Sequence, residues 1–341
     1  PEATNYNPDA TVDDGSCVYY FGPLWYVSTE GSDSNDGSSE SPFATIQHGI
    51  DVSSDGDTVL VSVGTYMENL FLSGKNIALI GVNWETTIID GNQSGSVIRI
   101  NDSDPYPFFI DETTVLTGFT ITNGVSDSQG GGIYCKKSSP RLENLKILNN
   151  QTTTEGGGIW FDISNSNLSN IIVDGNTSID QGGGLHFQNT CNSTLDNVNI
   201  TNNEANLGGG IYIEDNSSIT MINSTISNNS ATEYGGGIYL LNSSNSALIN
   251  STFVNNTNAY FWVSCNSDLD VINSIVWNNP GGWGTEPGCN DGEEEIETEY
   301  SVIQGGNDGV GVINEDPLFV DFDNGDYNLQ PDSPCIDAGN P

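Results

Sequence analysis

Oxygen ligands are the first chemistry met along this chain. Asn5, Asn7 and Asp9 alternate within Ala3-Thr-Asn-Tyr-Asn-Pro-Asp-Ala-Thr-Val-Asp-Asp-Gly-Ser-Cys17, and Asp13 follows. Their spacing matches positions 1, 3, 5 and 9 of a calcium loop. Ala10 stands where such a loop has Gly, and Ser16 where it has a bidentate Glu. The segment offers Ca2+ an incomplete cage, and an Asx-turn linker accounts for the same residues. Near the other end, Asp321, Asp323 and Asp326 surround the turn signal Asn324-Gly325. They are a second set of candidate cation ligands, with a hydrated turn as the competing reading.

Bases are scarce. The cations are Lys75, Arg99, Lys136, Lys137, Arg141 and Lys146. Lys136, Lys137 and Arg141 form the one basic cluster, on a turn between expected strands, where a solvated turn is favoured over a catalytic base. His186 has no nucleophile motif beside it, and no catalytic residue is assigned. The six cysteines lack CxxC spacing, which argues against zinc and thioredoxin chemistry and for disulfides in an exported protein. Cys265 and Cys289 lie about one repeat apart, roughly 5 Å if stacked, which a disulfide spans. Cys135 and Cys191 are about two repeats apart, roughly 10 Å, which is too far unless a turn bends. Cys17 and Cys335 need other partners.

These residues must be held by a repeating unit. Gly-Gly-Gly triplets begin at Gly130, Gly156, Gly182, Gly208 and Gly235, at spacings of 26, 26, 26 and 27. A period this regular means one unit stacked on itself. A second register runs through the motif Asn-X-X-apolar-X-Asn/Gly-Asn, which opens at Asn144, Asn170, Asn197, Asn223, Asn250 and Asn273. It closes at Asn150, Asn176, Asn203, Asn229, Asn256 and Asn279. Stacked amides at one-turn spacing can hydrogen-bond along the stack, and Asn tolerates the left-handed backbone of a sharp corner. The glycines permit positive φ and close backbone approach.

The expected architecture is all-β: a right-handed parallel β-helix with an N-terminal capping helix and a short acidic N-terminal module. Residues 1–20 form the module and 21–341 the solenoid. Within the solenoid, 24–56 is a cap, about 118–279 the regular turns, 280–299 a loop, and 300–341 the last turns and a C-terminal cap. Phe43, Ile46 and Ile50 fall at helical spacing and place the capping helix. Such a cap prevents the open sheet edge from pairing with other chains. After each triplet, Ile133, Ile159, Leu185, Ile211 and Ile238 are expected to point inward. Tyr134, Trp160, His186, Tyr212 and Tyr239 then point outward, because strands alternate faces. That outward stripe is a candidate glycan-binding face, unless the rings only stack or lie under a loop.

The formal net charge is −40, from 46 Asp+Glu against 6 Lys+Arg. Nucleic acid and anionic membranes both need clustered cations and are excluded as partners. Divalent cations, basic partners or a salty medium fit better, and solubility alone explains much acidity. No apolar run is long enough to span a bilayer. Asn150, Asn192, Asn223, Asn242 and Asn250 open glycosylation sequons, which composition alone produces in a chain so rich in Asn, Ser and Thr.

Taken together, the Gly-Gly-Gly-Ile-Tyr repeat and Ile200-Thr-Asn-Asn203 resemble polymorphic outer-membrane-protein repeats. These belong to the pectin-lyase-like superfamily of right-handed parallel β-helices. Pro42-Phe-Ala-Thr-Ile46, Gly64-Thr-Tyr66 and Ser333-Pro-Cys-Ile-Asp-Ala-Gly339 resemble the start and close of such domains in secreted bacterial surface proteins. Ala3 to Cys17 is similar to an acidic module found before them, which usually carries a further upstream Cys. The resemblance implies export, an upstream stretch before Pro1, and a type IX-like sorting domain beyond Pro341. Many such proteins cleave acidic polysaccharides, a lyase with an Arg or Lys base and a bound cation. A hydrolase of that group would need Gly-His-Gly and Arg-X-Lys, and neither is present. The reading leans against an enzyme. It favours an extracellular structural or adhesive solenoid, a module of a cell-surface protein or filament, stiffened by calcium and partnered by its own copies, other surface proteins or glycans. The alternative is a carbohydrate-binding or polysaccharide-degrading protein of the same fold.

Overall fold

The computed structural model describes residues 23–101, 110–286, 295–306 and 308–339. The chain is an all-β right-handed parallel solenoid of about nine turns with a short helix near its start. Each turn has three faces. One is a nine-stranded parallel sheet that includes Ile133–Lys136, Ile159–Asp162 and Leu185–Gln188. The other two belong to one seventeen-stranded sheet folded at a corner, and in the middle turns a short five-stranded sheet, with Gln151–Thr152 and Thr177–Ser178, follows it. In Arg141–Leu148, Leu168–Asp174 and Asn192–Thr201 the strand runs through that corner. There Asn144, Asn170 and Asn197 have φ of 49°, 52° and 55°. Asn suits this position because its short polar side chain tolerates the left-handed region better than other L-residues.

The second Asn column has a different task. Asn150, Asn176, Asn203 and Asn229 are buried. The Oδ1 of Asn203 accepts both the backbone N–H of Asn176 at 2.9 Å and its Nδ2 at 3.0 Å. The same double bond repeats from Asn150 to Asn176, from Asn203 to Asn229, and on to Asn256 and Asn279. The glycine triplet also divides its roles. Its first member is left-handed, with φ near 69° at Gly130, Gly156 and Gly235. Its later members allow backbone contact, and a Cβ on Gly157 would lie 2.4 Å from Thr177 O.

Ile133, Ile159, Leu185, Ile211 and Ile238 are fully buried and stack in register, as alternation requires. The capping helix, α1, is Ile46–Val52, with Thr45 as N-cap accepting from His48 N. Phe43 lies before the helix, corrected from the expected helical stripe: it bridges Val27 in parallel and stacks on Trp25. The amide of Gln47 pairs with both backbone groups of Phe71 in Leu70–Leu72, the first strand of the nine-stranded sheet. A side-chain amide thus takes the place of a neighbouring strand. Lys75 donates to the carbonyls of Ile50, Asp51 and Ser53 at the C-terminal end of α1.

The stretch expected as loop 280–299 contains two strands, Trp283–Glu286 and Glu295–Glu299. Glu295–Glu299 pairs with Asp268–Ile272 and turns Thr298 into the core, so alternation persists although three of its five residues are Glu. The hairpin Phe319–Asp321 and Asp326–Leu329 folds back along the side of the rod.

Candidate functional site

The expected outward aromatic stripe stacks as foreseen but is not a solvent-facing surface. Tyr134, Trp160, His186, Tyr212 and Tyr239 pair in register. Ring centroids are 4.8 Å apart for Tyr134–Trp160 and 5.0 Å for Tyr212–Tyr239. Their exposures are 8, 2, 0, 1 and 6%. Residues just before the glycine triplets contact the column: Glu155 accepts from Trp160 Nε1, and Tyr234 stacks at 4.0 Å on Trp262, the position that follows Tyr239 in register. At one end the guanidinium of Arg99 sits 3.9 Å from the Tyr134 ring centre. The column is a second small core, where aromatic area is worth more buried than offered to a ligand.

The cations are likewise committed to the fold. Lys136 pairs with Asp162 at 2.8 Å, and this bond holds its ammonium above the ordinary lysine range, away from use as a base. Arg141 contacts Glu143, and Lys146 contacts Glu85. Lys75 and Arg99 are engaged as described, and Lys137 occupies a left-handed corner with φ of 50°. His186 bonds Glu214 through Nε2 at 3.2 Å, inside the column.

The expected cation ligands do not converge. Asp321 accepts from Asn324 Nδ2, and Asp326 accepts from the backbone and side chain of Asn328. Turn hydrogen bonds engage Asp321 and Asp326, and among the described residues no group of three His, Cys, Asp or Glu is placed to hold a metal together with Asp323 or elsewhere. Asn5, Asn7, Asp9 and Asp13 lie outside the described residues. Cys135, Cys191 and Cys335 are free thiols, contrary to a general disulfide framework. Cys265 is disulfide-bonded, with its partner outside the described residues, where Cys289 also falls. Cys191 takes a serine's place in an internal ladder, with Ser164 N donating to its Sγ and its own N donating to Ser217 Oγ.

A polar groove of about 740 Å³ opens where the C-terminal hairpin meets the rod. Its floor is one sheet face, with Asn199, Thr225 and Thr252 at successive turns. Corner residues Asn228 and Asn250 flank the floor, and Asp326, Tyr327 and Asn328 of the hairpin form the far wall. Elsewhere on the rod, surface Asn side chains bond to the next turn, as Asn170 does to Asn144 at 2.6 Å. In the groove the side chains of Asn199, Thr225, Asn228, Asn250 and Thr252 make no hydrogen bond to another described residue, and Tyr327 Oη is buried without a protein partner. Sequence reasoning missed this site. The one signal it had was Asn324-Gly325, which marks the hairpin but not the surface the hairpin meets.

The family described as right handed beta helix region matches residues 47–230 and 162–324. This chain belongs to the right-handed β-helix family. Over 135 residues the β-helix protein is 31% identical to the uncharacterized protein YwoF of Bacillus subtilis strain 168, covering 36% of this chain. The chain spans about a quarter, 27%, of that relative's length. Among solved structures, the pectate lyase Pel9A superposes with a TM-score of 0.59 at 13% identity, over 93% of this chain and 91% of that one. At such identity the likeness is one of fold.

Proposed function

We propose that this β-helix protein binds carbohydrate in the groove between the sheet face and the C-terminal hairpin, without cleaving it by elimination. The observation that carries the reading is the row of uncommitted groups at one-turn spacing, Asn199, Thr225 and Thr252, flanked by the equally uncommitted Asn228 and Asn250. Polyols are recognised by such paired donors and acceptors with an aromatic wall nearby, here Tyr327. Elimination needs a deprotonated base at the substrate, and the groove lining contains no Lys or Arg. The reading places the protein outside the cell, where polysaccharides are met. No helix among the described residues is long and apolar enough to cross a membrane.

An adhesive surface role is compatible with glycan binding. Filament growth by end-to-end strand pairing is disfavoured, because Gln47 occupies the first edge of one sheet and residues 37–43 the outer side of Leu24–Val27 in the other. The test joins a glycan array to an absorbance assay for unsaturated uronate product. Binding with a flat absorbance trace is expected. Release of unsaturated product would overturn the non-lytic reading, and silence on the array would overturn the binding one.

A further inference from the structure

We infer that the groove selects uncharged polysaccharide over both polyuronates and cationic glycans; this rests on the binding reading above. Its lining is dominated by amides and hydroxyls: Asn199, Thr225, Asn228, Asn250 and Thr252, with Tyr327 as the aromatic wall. Recognition of a carboxylated sugar chain draws on Arg or Lys forks, and none lines the groove. A polyuronate approaching it also meets a chain of net charge −40, so the far field repels it.

Attraction of a cationic glycan would need free carboxylates at the contact. The one acidic side chain in the lining is Asp326, and it already accepts from Asn328 N at 3.1 Å and Asn328 Nδ2 at 2.6 Å. Open acidic columns lie on a different face of the rod, at Asp268, Asp270, Glu295 and Glu297. The groove lining thus carries a single hydrogen-bonded carboxylate and no cation, while the dense acidic columns lie elsewhere. Binding in the groove is carried by neutral hydrogen bonds, which salt screens weakly.

The experiment is calorimetry of the whole protein against neutral oligosaccharides from xylan, mannan and β-glucan, against oligogalacturonate, and against chitosan oligomers, at low and high salt. A neutral oligosaccharide is expected to bind, with affinity changing less than about twofold between salts. The double variant N199A/T225A, at two strand positions with ordinary backbone, is expected to weaken binding by about tenfold or more with an unchanged melting temperature, since each lost hydrogen bond is worth about 1 kcal/mol. Tighter binding of oligogalacturonate, or tighter and steeply salt-dependent binding of chitosan, would overturn the uncharged class while leaving the site in place. Unchanged affinity in the folded double variant would overturn the groove as the site. No binding to any of these ligands would overturn the carbohydrate reading itself.

Discussion

Asn176 and Asn203 are joined twice across one turn: the Oδ1 of Asn203 accepts both the main-chain and the side-chain N–H of Asn176. Both residues are fully buried, so each bond satisfies a group that water cannot reach. Replacing Asn203 by Ala leaves those two donors of Asn176 unpaired, along with the Val173 carbonyl that Asn203 Nδ2 serves. A loss of about 3 kcal/mol is expected from chemical denaturation. Asn197→Ala, on the exposed corner, is expected to cost about 1 kcal/mol, chiefly from its positive φ.

Glycines at crowded and open positions should differ sharply. A Cβ on Gly183 would lie 2.5 Å from the carbonyl oxygens of Glu204 and Gly209, both backbone atoms that cannot step aside. Gly183→Ala is expected to cost about 3 kcal/mol or more by forcing turns apart. Gly74 has φ of 67° and open space around it, so Gly74→Ala should cost about 1 kcal/mol. Paired thermal melts decide the matter.

The Gln47 amide closes the first strand of the nine-stranded sheet. Gln47→Ala uncovers the N–H and C=O of Phe71, whose side chain is itself half-exposed. An open, apolar sheet edge recruits other strands. Concentration-dependent dimers or larger species are expected by light scattering, and a strictly monomeric variant would contradict the capping role.

Like charges face each other where Asp270 pairs with Glu297. Burial first, and then Glu297, Asp268 and Glu299, push the Asp270 carboxyl above the usual carboxylate range. A raised acid binds its proton more tightly in the folded protein, so folding is favoured at low pH. That contribution is given up as pH rises from the ordinary carboxylate value through the folded one. Asp270→Asn is therefore expected to raise the melting temperature at neutral pH, with the gain vanishing at about pH 4. An equal gain at both pH values would refute the charge explanation.

Burial pushes the Cys135 thiol up to about 12 and the Cys191 thiol up to about 11. Thiolate is the reactive form, so neither should be alkylated by iodoacetamide in the native protein at mildly alkaline pH. Mass spectrometry should find both modified only after unfolding. Cys191→Ser should be nearly neutral, since serine holds the equivalent ladder position at Ser164 and Ser217. Cys135→Ser should also cost little, about 1 kcal/mol or less, since Cys135 Sγ already donates to Ser138 O and lies beside Ser164 Oγ, partners a hydroxyl would keep.

The turn period, the inward Ile column and both Asn pillars were legible in the residues. Each depends on a side chain meeting its own counterpart one repeat away, so spacing along the chain already specifies the contact. The capping helix was legible from its apolar spacing, although Phe43 belongs to the preceding bridge. Alternation also put Tyr134, Trp160 and His186 on the outer side of their sheet, but it could not say what lay above them. Only the fold brings Glu155 onto Trp160 and Tyr234 onto Trp262, the position that follows Tyr239. The groove is more remote still: its wall comes from Asp326 to Asn328 and its floor from Asn199 to Thr252. These segments share no repeat register, so no periodicity in the chain relates them. Their meeting depends on how the C-terminal hairpin packs back against turns already formed, and that contact exists only in three dimensions.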